Sequence, residues 1–181
     1  MVVKQIMASQ PKIITAAPEN WCETATAAIG SVVNSYINTI GECTMMLTGG
    51  NRAKRLYQHW ADTKPWDHRK ITYYFGDERC VPPDHQVSNF GMVMSTLFSG
   101  GIPGGCKVVR MQGEIDREEA VKNYEQTLPE SVDILLLSVG PDGHVASLFP
   151  GSPALHEKNK NIVPVVGPKS PPKRITITPS V

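Results

Sequence analysis

Cys43-Thr-Met-Met-Leu-Thr-Gly-Gly-Asn-Arg-Ala-Lys-Arg-Leu-Tyr-Gln-His-Trp-Ala-Asp62, followed after a polar stretch by Ile71-Thr-Tyr-Tyr-Phe75, is the part of the sequence that decides the fold. Cys43 to Leu47 is a short apolar run that reads as a strand, closed by Gly49-Gly50. Asn51 to Asp62 has helical spacing, and the β-branched and aromatic Ile71 to Phe75 returns to a strand. A strand, a glycine turn, a helix and a second strand form the repeating unit of an α/β fold.

The same alternation extends in both directions. Lys12 to Ala16 reads as a first strand, and the apolar positions Ala25, Ala28, Ile29, Val32, Val33, Tyr36, Ile37 and Ile40 recur at helical spacing from Trp21 onward. Downstream, a helix is expected from Ser88 to about Phe98, with Phe90, Val93, Met94 and Leu97 facing inward. Lys107 to Met111 reads as a strand, and Asp116 to Leu128 as a helix with Asp116 as N-cap. Ile134 to Val139 is apolar at nearly every position, as a central parallel strand covered on both faces would be. Ile162 to Val166 and Arg174 to Thr178 add two more strands. The expected fold is therefore a doubly wound, mainly parallel α/β sheet with helices on both faces, Rossmann-like, in a single domain over residues 1–181.

Composition narrows the function. Lys+Arg of 18 against Asp+Glu of 17 leaves a net charge of +1, so there is no global field to gather nucleic acid or a membrane surface, and neither is expected as a partner. Cys22, Cys43, Cys80 and Cys106 are widely spaced, as reduced thiols of a cytoplasmic protein would be. The five histidines form neither HExxH nor a zinc-spaced Cys/His cluster, so no metal is expected. No apolar run approaches the roughly twenty residues that span a bilayer, and no secretory leader is read at Met1.

In a doubly wound sheet, ligands bind where loops leave the carboxyl ends of the strands. Four loops of this chain are expected there. Thr48-Gly-Gly-Asn51 sits between a strand and a helix, where glycines let backbone N–H groups approach an anion and the helix terminus adds partial positive charge. Asp77-Glu-Arg79 follows a strand directly, and Arg79 offers a planar fork to a phosphate or carboxylate, or fastens the loop through an internal ion pair. Asp142-Gly-His144 presents an imidazole that can take a proton from water if a carboxylate fixes its tautomer, for which both Asp142 and Asp77 are available. Lys169, Lys173 and Arg174 flank a proline-rich entry into the last strand.

Taken together, Leu47-Thr-Gly-Gly50, FGDERCVPPDHQVSNFGM (75–92), DILLLSVGPDGHVASLFPG (133–151) and PKSPPKRITIT (168–178) resemble the family of 6-phosphogluconolactonases and glucosamine-6-phosphate isomerases/deaminases. The resemblance implies a cofactor-free and metal-free hydrolase that opens 6-phospho-D-glucono-1,5-lactone to 6-phosphogluconate in the oxidative pentose phosphate pathway. It implies that His144 activates water and that Asp142 orients it. Arg79, Lys169 and Arg174, completed by Gly49, Gly50 and Asn51, would hold the phosphate. Deaminases of the group resemble DEY where this chain has Asp77-Glu-Arg79, and carry a glutamate where this chain has Phe149, which favours the lactonase branch. A sugar-phosphate lactone is the expected partner, and a monomer or weak homodimer the expected state. Two departures stand out: Asn51-Arg52-Ala53 replaces the family's Ser/Thr-Pro after the double glycine, and relatives continue past the RITIT strand, so C-terminal elements of the family are expected to be missing here.

Overall fold

The computed structural model describes residues 11–181. In chain order its elements are α1 (Trp21–Ile40), β1 (Cys43–Leu47), α2 (Asn51–Thr63), β2 (Ile71–Phe75), β3 (Asp77–Arg79), α3 (Asn89–Ser95), β4 (Lys107–Val108), α4 (Arg117–Glu125), β5 (Ile134–Leu135), β6 (Ile162–Val166) and β7 (Lys173–Ile177). A parallel sheet of order β4-β2-β1-β5 carries the expected α/β architecture. A second sheet of order β3-β7-β6 is antiparallel and was not separated in the sequence.

Alternation along the strands builds the two core layers, because successive side chains point to opposite faces. Cys43, Met45, Leu47, Ile71, Tyr73 and Phe75 join Val33, Leu56, Tyr57, Trp60 and Val93 on the face covered by α1, α2 and α3. Met46 and Tyr74 point the other way, to Ala120, Val121 and Tyr124 of α4 and to Ile162, Ile175 and Ile177 of the antiparallel sheet. The Trp60 indole donates to Thr26 Oγ1 at 2.9 Å, tying α2 to α1 inside the core.

Two buried tyrosines hold the strand ends from which functional loops depart. Tyr57 Oη donates to Thr48 O (2.8 Å) and accepts from Thr48 N (3.0 Å) just past β1. Tyr124 Oη does the same for Phe75, at 2.9 and 2.7 Å, at the end of β2. Each phenol satisfies main-chain groups where the ladder stops, and lost partners there would cost about 1–3 kcal/mol. At the other end of the sheet, Asp133 Oδ2 accepts from Thr44 N and Thr44 Oγ1, both at 2.8 Å, which fixes the register of β5 on β1.

Four local expectations are corrected. Lys12–Ala16 forms no strand: it has no ladder partner among the described residues, Ile13 is 86% exposed, and β-propensity needs a pleated neighbour to act on. The run Ile134–Val139 is a strand only at Ile134–Leu135, lies at the edge of the parallel sheet, and leaves Leu137 and Val139 about half exposed or more. Its apolar character arises because Leu136 packs on the core while the chain peels away to reach the Thr48–Gly49 loop. The Asp77–Arg79 loop is strand β3, continuing β2 after Gly76 and pairing with β7. Helix α3 ends at Ser95 rather than Phe98, where Thr96 Oγ1 bonds back to Met92 O at 2.7 Å and a non-helical backbone follows. Asp116 caps α4 as expected, and Ser88, read in the sequence as the start of a helix, is the N-cap of α3. No helix among the described residues is long and apolar enough to cross a membrane.

Candidate active site

The loops after β1 and β5 meet strand β3 and the start of β7 around a cavity of about 600 Å³. Its walls include Thr48, Gly49, Gly50, Asn51, Arg52, Asp77, Arg79, Ser138, His144, Ala146 and Arg174. It lies at the carboxyl ends of the parallel strands, where the fold class puts ligand sites. Of the residues singled out in the sequence, Asp142 and Lys169 do not line it: Asp142 bonds to His144 from outside, and Lys169 bonds to Asp142.

His144 stands on a tight turn. Gly143 adopts φ +83°, its N–H donates to Gly140 O at 2.9 Å, and Gly140 N donates to His144 O at 2.8 Å. Gly140 is required by contact: a Cβ there would lie 2.1 Å from His144 Cε1 and 2.2 Å from Nδ1. His144 Nδ1 is 2.5 Å from Asp142 Oδ1. An ionised carboxylate can only accept, so Nδ1 carries the proton and Nε2 is left as the basic nitrogen. Lys169 Nζ donates to the same Asp142 oxygen at 2.9 Å. These two hydrogen bonds, Lys169 first and His144 second, hold the Asp142 carboxyl far below the usual carboxylate range. Lys169, expected on a phosphate, is thus placed on the carboxylate that orients His144.

The cavity that His144 lines is also cationic. Arg79 and Arg174 are register partners across β3 and β7, so two guanidiniums share one face of the antiparallel sheet. Arg79 Nη1 donates to Val87 O at 2.6 Å, while its buried Nε has no hydrogen-bond partner among the described residues. Arg174 is 4% exposed; its Nε donates to Pro171 O at 3.1 Å and its Nη2 to Lys169 O at 3.4 Å. Burial first, and Arg79 second, lower its basicity. Helix α2 opens on the same wall at Gly50, with φ +99° and no side-chain cap, so its first-turn N–H groups and Asn51 are presented where an anion would be favoured.

Between the two ends lies a buried polar knot that the sequence did not disclose. Asp77, 5% exposed, accepts from Ser147 Oγ (2.6 Å) and from Asn89 Nδ2 (3.0 Å), and so does not reach His144 as a second orienting carboxylate. Ser147 N also donates to Thr176 Oγ1 at 3.1 Å, which fastens the His144 turn to β7. Glu78 accepts from Arg79 N, Asn89 N, Phe90 N and Ser88 Oγ at 2.7 to 3.1 Å; burial raises its pKa and those four bonds oppose the rise. Ala146, at φ +51°, is a non-glycine residue in the left-handed region on the cavity wall, the sort of local strain that clusters at functional sites. Asn89 and Ser147 stand inside the quoted motifs, but no spacing rule in the sequence marks them as partners of Asp77.

Residues 16–181 match the family model described as glucosamine-6-phosphate isomerases/6-phosphogluconolactonase. The chain is 36% identical over 145 residues to the 6-phosphogluconolactonase of Homo sapiens, covering 73% of this chain and 56% of that protein. It is 34% identical over 151 residues to the 6-phosphogluconolactonase of Rattus norvegicus, covering 76% and 59%. The chain therefore spans less than two thirds of the length of these curated relatives. Its fold is similar to the crystal structure of 6-phosphogluconolactonase from Thermotoga maritima, with a TM-score of 0.78, 27% identity, and coverage of 88% of this chain and 73% of that one. It is likewise similar to 6-phosphogluconolactonase from Trypanosoma cruzi, with a TM-score of 0.79, 27% identity, and coverage of 94% and 75%.

Proposed function

Because the chain belongs to the glucosamine-6-phosphate isomerase/6-phosphogluconolactonase family, we propose that it hydrolyses 6-phospho-D-glucono-1,5-lactone to 6-phosphogluconate, as an enzyme of the oxidative pentose phosphate pathway in the cytoplasm. The observation that carries this reading is a single cavity with an oriented imidazole on one wall and two arginines on another. One end suits a water to be deprotonated and the other a phosphate dianion.

The phosphate lies between the Arg79 and Arg174 guanidiniums and the first turn of α2, and uses the main chain of Gly49 to Asn51. The lactone carbonyl then faces His144. Nε2 accepts a proton from water as the oxygen adds to the carbonyl carbon. The tetrahedral intermediate collapses with cleavage of the bond to the ring oxygen, which receives the proton back from the imidazolium. Asp142 holds the Nδ1–H throughout and stabilises the cation that forms. A positioned base contributes about 10²- to 10⁴-fold, enough for a lactone that is already reactive, so no covalent intermediate is needed. Gly143 N–H is occupied by Gly140 O, which removes it as a donor to the oxyanion.

The isomerase/deaminase branch is disfavoured by Phe149, which is 5% exposed and puts an apolar ring where the resemblance would call for a carboxylate. The test is lactone hydrolysis above the spontaneous rate by this chain and by H144A, with ammonia release from glucosamine 6-phosphate assayed in parallel. Hydrolysis that falls by about 10²-fold or more in H144A, with no ammonia, is the expected result. Near wild-type turnover in H144A, or ammonia release, would overturn the reading.

A further inference from the structure

Phe149 lies behind the cavity wall and contacts both chemical ends of the site. Its ring is stacked on the His144 imidazole, with centroids 5.0 Å apart and planes inclined by 29°. Arg174 Cζ lies over the same ring, 5.4 Å from its centroid. His144 and Arg174 line the cavity whereas Phe149 does not. The ring therefore touches the two functional side chains and is shielded from whatever they bind. Its seat is cut to shape by Gly167, where a Cβ would come within 2.3 Å of Phe149 Cε2, 2.8 Å of Cζ and 3.0 Å of Cδ2. Gly167 N–H donates to Pro172 O at 2.8 Å, which pins this glycine to the segment leading into β7 and Arg174.

We propose that Phe149 is a positioning residue that holds His144 and Arg174 in fixed relation, so that occupation of the anion end is felt at the imidazole. The physical basis is the ring's quadrupole. Its negative face favours a guanidinium over it, and equally the imidazolium that forms during proton transfer, while the flat surface sets the plane of each partner. An aliphatic side chain of similar size would fill the space but impose neither plane. The chemical roles of the two ends rest on the reading given under Proposed function; the coupling between them does not.

The test uses the chain itself, F149L, and G167A, which displaces the ring without altering it. Two readouts are taken: the His144 ring resonances by NMR during titration with inorganic phosphate, and kcat and KM for the lactone. In the wild type, phosphate should shift the His144 resonances. In F149L that response should vanish, with kcat lowered and KM raised, each by about 5- to 10-fold, as loss of one stacking and one cation–π contact implies. G167A should move every readout in the same direction. A wild-type His144 that ignores bound phosphate overturns the proposal, as does F149L that is less heat-stable yet keeps the wild-type response and constants. Should F149L fail to fold, G167A decides in the same way. A wild type that shows the phosphate response but no hydrolysis sinks the lactonase reading and leaves the coupling standing.

Discussion

Replacing Gly49 by alanine tests whether the cavity's floor is built as described. Gly49 is not among the positive-φ glycines, so its backbone accepts alanine, and the obstacle is contact alone. A Cβ would fall 2.3 Å from Asn89 Oδ1, 2.7 Å from Cγ and 2.8 Å from Nδ2. Asn89 is not free to step aside: it is 2% exposed and its Nδ2 donates to Asp77 O at 2.9 Å and Asp77 Oδ1 at 3.0 Å. Breaking both bonds forfeits about 1 kcal/mol each and leaves buried polar atoms unpaired at a further ~1–3 kcal/mol. Against this, the stiffer unfolded chain returns about 0.4–1 kcal/mol. The net loss expected for G49A is about 2–5 kcal/mol, or roughly 4–20 °C in Tm for a domain of this size. N89A should cost a similar amount, because it removes the same bonds. The double variant should then cost little more than N89A, since alanine at position 49 no longer meets an amide. Urea unfolding followed by circular dichroism supplies all four corners of the cycle. Additivity within about 0.5 kcal/mol, or a G49A protein as stable as the wild type, would refute the packing argument.

Three further outcomes are expected. K169A should lower kcat with little effect on KM, because Lys169 acts on Asp142, whereas R174K should chiefly raise KM by loosening the anion end; steady-state kinetics separate them, and a KM effect dominating in K169A would return that lysine to the phosphate. His68, whose Nδ1 lies 2.7 Å from the buried Tyr73 Oη, is held below the ordinary imidazole range chiefly by burial, which Asp67 opposes. The folded protein thus binds a proton less readily than the unfolded chain. The stability contributed by the neutral ring is complete above about pH 6.5 and is lost as pH falls through the folded value. Between about pH 7.5 and 5.5, wild type should lose more stability than H68N in urea titrations, and parallel losses would count against this. Burial, with Asp133 adding to it, pushes the Cys43 thiol up to about 11, so iodoacetamide near pH 8, below its ordinary value of about 8.5, should label Cys43 only after unfolding, as intact mass would report.

What the sequence disclosed was what local pattern determines. Cys43–Leu47, Ile71–Phe75 and Ile162–Val166 are apolar runs bounded by breakers, and the structure gives each of them those same limits. The mainly parallel α/β class followed from their alternation with helices. Strand β3 escaped because Asp77-Glu-Arg79 has no apolar pattern; it is buried only because Asn89, Ser88 and Ser147 supply hydrogen bonds from distant positions. Lys12–Ala16 and the far half of Ile134–Val139 erred in the opposite sense, with strand-like residues that have no ladder neighbour among the described residues. The site divides along the same line. Asp142 and His144 are two residues apart, so their pairing is readable; Lys169 reaches Asp142 across 27 residues, and nothing local distinguishes it from a phosphate ligand.

The facing of Arg79 and Arg174 across β3 and β7 has a practical meaning for anyone handling this protein. Two like charges opposite one another in a sheet repel, and one of them is almost wholly buried. The ligand-free molecule is therefore frustrated at this spot and keeps the fold at some cost. On the phosphate reading proposed above, a multivalent oxyanion in the buffer is expected to quiet that repulsion. If the site takes phosphate as proposed, melting curves recorded in phosphate or sulfate and in a monovalent buffer should describe two differently relaxed proteins, and weak ligands should look inert wherever the buffer anion already occupies their place.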